Sequence, residues 1–120
     1  MNRKNTRAIG TQYETKAALY LEKKGYVILE KNFRTRYSEI DIIAKDGDTY
    51  VFCEVKYRSN NHFGSPFDAV DVRKQRRITR AAMYYCVSKN ILNCPCRFDV
   101  IAIYGNDRIE HIEDSFYGIE

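Results

Sequence analysis

Residues 38–59 read SEIDIIAKDGDTYVFCEVKYRS, and this stretch decides the fold. Its two halves, 38–45 and 49–57, are rich in β-branched and aromatic residues and have the length of strands. Between them Asp46-Gly47 favours the positive φ angles of a tight hairpin turn, so the two strands are expected to pair antiparallel. Side chains alternate along a strand, which projects Glu54 and Lys56 to one side and Cys53, Val55 and Tyr57 to the other. A turn at 46–47 sets opposite one another residues whose numbers sum to about 93 or 95, bringing Asp41 near Cys53 and Glu54.

Two neighbouring carboxylates repel unless one is protonated or a cation lies between them. A hard divalent cation such as Mg²⁺ takes oxygen ligands, commonly one or two carboxylates with waters and phosphate oxygens. Lys56, on the face of Glu54, is then suited to hold or deprotonate an attacking water or to steady the charge of a phosphate. The same residues also suit a purely structural arrangement, in which Asp41 and Glu54 pair with Lys56 and nearby arginines.

Outward from the hairpin, apolar residues recur with helical spacing from about Thr11 to Lys24, and Gly25 supplies a stop. Glu14 shares a helical face with Ala17, Ala18 and Leu21, so a third carboxylate is expected on the stripe that meets the sheet. YVILEKNF (26–33) reads as a strand and RSNNHFGSPFD (58–68) as a polar loop. A second helix runs to about Ser88, starting either at Ser65-Pro66 with Asp68 or at Asp71. After a turn at NCPC come a strand, RFDVIAIY (97–104), a turn through Gly105-Asn106-Asp107, and an edge strand, RIEHIED (108–114). The order predicts an α/β fold, a mixed sheet flanked by helices, in one domain spanning 1–120.

The second helix carries Arg73, Arg76, Arg77 and Arg80 on one side and Ile78, Ala81, Ala82 and Tyr85 on another. A row of cations suits a phosphate backbone, although such a run also serves simply as a solvated face. Arg34, Arg36 and Arg58, with Tyr37 and Tyr57 among them, extend the track. The net charge of +4 is compatible with an anionic partner. No run approaches the roughly 20 apolar residues of a membrane span, and MNRKNTRAIG lacks the apolar segment of a secretory signal, so a cytoplasmic protein is expected. Cys53, Cys86, Cys94 and Cys96 have no paired CxxC spacing, which argues against zinc or a disulfide framework. Asp99 faces the same way as Ile101 and Ile103 and reads as a buried structural acid; His62 lies in the loop, and His111, alternating with isoleucines, is expected to face solvent.

An Asp, about a dozen residues, then Glu-x-Lys across a hairpin resembles the PD-(D/E)-x-K nuclease superfamily, which includes restriction endonucleases and archaeal Holliday junction resolvases. More narrowly the chain resembles the YraN-like family of small bacterial proteins, predicted endonucleases. The resemblance rests on Gly10 with Glu14, Glu39-Ile40-Asp41, Glu54-Val55-Lys56 with Arg58-Ser59, Phe63-Gly64, Pro66, Ala69-Val70, Lys74-Gln75 and Arg97-Phe98-Asp99. It covers nearly the whole chain and departs at Ser38, where the family usually has Gly.

The resemblance implies a restriction-endonuclease-like αβββαβ core. It further implies Asp41, Glu54 and the Val55 carbonyl as ligands of Mg²⁺ or Mn²⁺, Lys56 as the catalytic lysine, Glu14 as a helix-borne acid, and Gln75 as a helical support of the site. Lys74 joins the arginines as a nucleic-acid contact. The function so implied is metal-dependent hydrolysis of phosphodiester bonds in DNA, on branched or damaged structures; the rival is a noncatalytic module that keeps the fold and binds nucleic acid or a protein partner. An RNA substrate stays open, as does a homodimer, because a junction offers two scissile strands.

Overall fold

The computed structural model describes residues 3–58 and 71–116, with side chains from Gln12 onward. The elements are α1 (Arg3–Lys23), β1 (Val27–Arg34), β2 (Glu39–Asp46), β3 (Thr49–Arg58), α2 (Val72–Ser88), β4 (Cys96–Tyr104) and β5 (Ile109–Phe116). His62 and the helix start at Ser65–Asp68 lie outside the described residues.

The strands form one sheet in the order β1-β2-β3-β4-β5. Only the β3–β4 pair is parallel, running from Tyr50↔Cys96 to Arg58↔Tyr104, and the other pairs are antiparallel. A parallel pair needs a crossover, and α2 lies within this one. The helices cover opposite faces. On one, Ala17, Ala18 and Leu21 of α1 pack on Ile42, Ala44, Val51, Cys53, Ile101 and Ile103. On the other, Ile78, Ala81, Ala82 and Tyr85 of α2 pack on Ile40, Phe52, Phe98 and Val100. Strands buried on both faces read as near-continuous apolar runs, which is why β4 shows no alternation. This is the expected mixed α/β sheet flanked by helices, compatible with a restriction-endonuclease-like core.

Local signals set the boundaries that position the site. Gly25, at φ +95°, closes α1; its N–H donates to Glu22 O at 3.0 Å and that of Tyr26 to Leu21 O at 3.0 Å, the pattern of a glycine-terminated helix. At the other end α1 begins at Arg3 rather than near Thr11, because residues 3–10, mostly polar with Ala8 and Ile9 adjacent, carry no apolar stripe from which a helix could be read. The hairpin turns through Gly47, at φ +59°, and Asp48, one residue later than expected. That selects the register of Ile42↔Cys53 and Asp46↔Thr49, in which paired numbers sum to 95. Asp71 caps α2, its Oδ1 accepting the Lys74 N–H at 2.9 Å.

Asp99 is buried, as expected. His111 is not the solvent-facing residue its alternation implied: its side chain is 3% exposed, and its Nε2 lies 2.7 Å from Asp99 Oδ2. Tyr20 and Lys24, on and just after α1, approach His111 Nδ1 at 3.3 and 3.1 Å and cover this part of the edge strand. Asp99 Oδ1 also accepts from Arg97 Nε at 3.1 Å and from the Asp114 N–H at 3.0 Å. Burial raises the proton affinity of Asp99, but His111, Arg97 and the Asp114 amide together hold its carboxyl below the ordinary range. All four cysteines are free, Cys53 and Cys86 buried, Cys94 and Cys96 exposed. No described helix is long and apolar enough to cross a membrane.

Candidate active site

The backbone ladder between β2 and β3 ends at Ile42↔Cys53, while β2 stays paired with β1 as far as Arg34↔Glu39, and β3 with β4 as far as Arg58↔Tyr104. Where the ladder stops, a side chain takes over: Asp41 Oδ2 accepts the Val55 N–H at 2.8 Å. The acid is thus fixed where the two halves of the sheet part company.

Around it, one carboxylate oxygen from each of Glu14, Glu39 and Asp41 lies within 4.8 Å of the others. Glu14 arrives from α1, the other two from β2. The consequence is electrostatic. Burial first, then the negative charge of Glu54, then that of Glu14, push the Asp41 carboxyl up to about 7, against the opposing pull of the Val55 N–H and of Lys74. Such a surplus of acid, with hard oxygen donors converging on one point, fits a divalent cation.

Glu54 is placed differently. It is 6% exposed on the α2 side of β3, with its Oε1 3.3 Å from Lys56 Nζ and 2.5 Å from Lys74 Nζ. A buried carboxylate is tolerable when so paired. Burial and the neighbouring Lys74 lower the proton affinity of Lys56, while Glu54 works in the opposite direction. For Lys74, burial alone would lower it, but hydrogen bonds to Glu54 and Lys56 and the attraction of Glu54 and Asp41 raise it. Lys74 reaches Glu54 because Asp71 caps α2 three residues earlier and so seats the first turn of the helix over β3.

Of the metal ligands expected from the motif, Asp41 and Val55 are joined through the Val55 amide, and Glu54 contributes its charge from the lysine clamp. Glu14 joins the cluster as its helical face implied. Gln75 follows Lys74 in the first turns of α2 and is half-buried. Arg73, Arg76, Arg77 and Arg80 are exposed, as are Arg34 and Arg36, while Arg58 is half-buried at the end of β3. Two features were missed. Glu39 was read only as part of a motif, although alternation along β2 puts it beside Asp41; Lys74 was read as a phosphate contact, and its ion pair with Glu54 was not foreseen. Tyr13 and Tyr57, sequence neighbours of Glu14 and Lys56, stack with ring centroids 4.4 Å apart.

Residues 13–103 match the model of the uncharacterised protein family UPF0102. The chain is 48% identical over 122 residues to a UPF0102 protein of Chlorobium chlorochromatii, covering 94% of each chain. It is 50% identical over 109 residues to a UPF0102 protein of Thermodesulfovibrio yellowstonii, covering 91% of this chain and 96% of the relative. The chain belongs to the UPF0102 family. This is the YraN-like family that its motifs resemble. The span matched by the UPF0102 model runs from Tyr13 on α1 to Ile103 near the end of β4 and so contains the three clustered acids, Glu54, Lys56 and Lys74.

Proposed function

We propose that this UPF0102 chain is a metal-dependent nuclease that hydrolyses phosphodiester bonds in cytoplasmic DNA, on branched or damaged structures. The observation that carries the reading is the convergence of Glu14, Glu39 and Asp41 oxygens within 4.8 Å, with Asp41 half-buried and its proton affinity raised. Mg²⁺ or Mn²⁺, when bound, would activate water and neutralise charge at the scissile phosphate. Asp41, Glu14 and Glu39 would hold the ion, with Glu54 and the Val55 carbonyl as the further oxygens that the resemblance implies.

The chain's own residues supply the rest. Val55 N–H fixes the orientation of Asp41, so the cluster is preorganised. Lys56, with its proton affinity lowered by burial and by Lys74, is the group suited to exchange a proton with the attacking water. Lys74 and Lys56 both reach Glu54 Oε1 and so hold that side chain beside the site. The exposed arginines of α2 position the phosphate backbone without reading sequence.

A second reading is favoured by the Glu54 clamp itself, since a carboxylate already balanced by two lysines needs no metal and suits a noncatalytic module that binds nucleic acid or a partner. Incubation of labelled single-stranded, duplex, flap and four-way junction DNA, and of RNA, with Mg²⁺, Mn²⁺ or EDTA separates the two. Metal-dependent cutting that disappears in Lys56→Ala is the expected result. Absence of cutting on every substrate, with binding intact, would replace the nuclease by the binding module.

A further inference from the structure

The connection between β1 and β2 and the outer side of α2 enclose a groove of about 460 Å³ lined by Tyr37, Thr79, Arg80, Met83, Tyr84 and Val87. Tyr37 and Tyr84 also line an adjoining cleft of about 400 Å³, together with Arg34, Thr35 and Arg36. The core does not account for this surface. Tyr85 fills the inner side of α2, whereas Tyr84 is 56% exposed, Val87 58% and Met83 40%.

Tyr37 is held in place from three directions. Arg36 Nη2 donates to its hydroxyl at 3.0 Å, and the guanidinium groups of Arg36 and Arg80 lie 5.1 and 5.9 Å from its ring centroid. Beneath it, Thr35 Oγ1 accepts the N–H groups of Tyr37 and Ser38 at 3.0 and 3.2 Å, which fixes the turn. Tyr84 is steadied by Phe33, its ring 6.4 Å away between centroids. One exposed ring, Tyr84, and one half-buried ring, Tyr37, held in fixed positions among guanidinium groups favour a ligand that is both flat and anionic. Arg34 alone of these arginines has an acidic partner among the described ion pairs, Glu39 at 3.4 Å, and that contact leaves Arg34 76% exposed. Glu39 belongs to the carboxylate cluster, so its ion pair with Arg34, which lines the adjoining cleft, links that cleft to the acids.

We propose that Tyr37 and Tyr84 form a stacking platform for an unpaired base of a nucleic acid, with the adjoining phosphates held by Arg34, Arg36 and Arg80. This rests on the nucleic-acid reading above and narrows it: the preferred substrate carries a single-stranded segment beside the carboxylate cluster, as a flap, fork or loop does and a blunt duplex does not. Every base has a stacking face, so the platform selects strandedness and tolerates any sequence.

The test is binding in EDTA, where metal-dependent cleavage plays no part, by fluorescence anisotropy with a labelled single-stranded oligonucleotide and a blunt duplex of equal length. Wild type should prefer the single strand. Tyr84→Ala should raise the single-strand Kd by roughly 5- to 150-fold while changing the duplex Kd less than about twofold, and Tyr84→Phe should restore tight binding, because a phenyl ring also stacks. Equal loss on both polymers, or no loss on either, would overturn the platform. So would light scattering that shows wild type as a dimer and Tyr84→Ala as a monomer, which would make the groove an interface between two copies. A protein that passes these binding tests but cuts nothing in Mg²⁺ keeps the platform and loses the nuclease; one that cuts in Mg²⁺ with the same strand preference after Tyr84→Ala loses only the platform.

Discussion

Replacing Asp41 with Asn should stabilise the metal-free protein, and the reason lies in the cost of its charge. An ordinary value of 3.8 raised to about 7 corresponds to a penalty on the ionised form of roughly 4 kcal/mol above neutral pH, at about 1.36 kcal/mol per pH unit. The folded state holds this proton more tightly than the unfolded chain does. The associated stability is therefore fully present below about pH 4, lost as pH rises toward about 7, and absent above it. Asn carries no charge to penalise and keeps an oxygen for the Val55 N–H, though as a weaker, neutral acceptor. About half the ceiling, or about 2 kcal/mol, is the expected net gain near pH 8. For a domain of this size that is a rise in Tm of roughly 8 °C. Thermal unfolding followed by circular dichroism, in EDTA near pH 5 and near pH 8, measures it. The gap between variant and wild type should open near pH 8 and narrow near pH 5. A variant no more stable than wild type near pH 8, with an unchanged pH profile, would refute the argument that Asp41 is destabilised by burial and by its acidic neighbours.

Mg²⁺ or Mn²⁺ should raise the Tm of wild type more near pH 8 than near pH 5, because the ion competes with the Asp41 proton, and Glu14→Gln or Glu39→Gln should shrink that shift. An equal shift in both variants would remove those carboxylates from the site. His111→Ala should destabilise by about 2–4 kcal/mol in urea unfolding, since it strips a hydrogen bond from fully buried Asp99, whereas a solvent-facing histidine would cost near nothing.

Much of the fold was legible because its signals act over a few residues. Gly25 ends α1, Gly47 bends the hairpin, with the turn one residue later than read, and the Ile78, Ala81, Ala82 and Tyr85 stripe marks the buried side of α2. Each depends on backbone conformation or on the period of a single element. The start of α1 escaped for the converse reason: residues 3–10 are helical without an apolar stripe. Two carboxylates of the cluster were also legible, Glu14 from its place on a helical face and Asp41 from its place across the hairpin.

By itself, then, the sequence determined the order of elements, the hairpin and the acids Glu14 and Asp41, because these follow from spacing along the chain, and its motifs carried the resemblance to the family. Only the tertiary structure decided how the charges pair. The crossover to a parallel β4 brings the first turn of α2 over β3, and this gives Glu54 to Lys74 as well as to its strand neighbour Lys56. The packing of α1 buries His111 against Asp99, and the end of the β2–β3 ladder leaves Asp41 to bond the Val55 amide beside Glu14 and Glu39. Pairing of charges is a matter of a few ångströms between groups far apart in sequence, and only packing sets those distances.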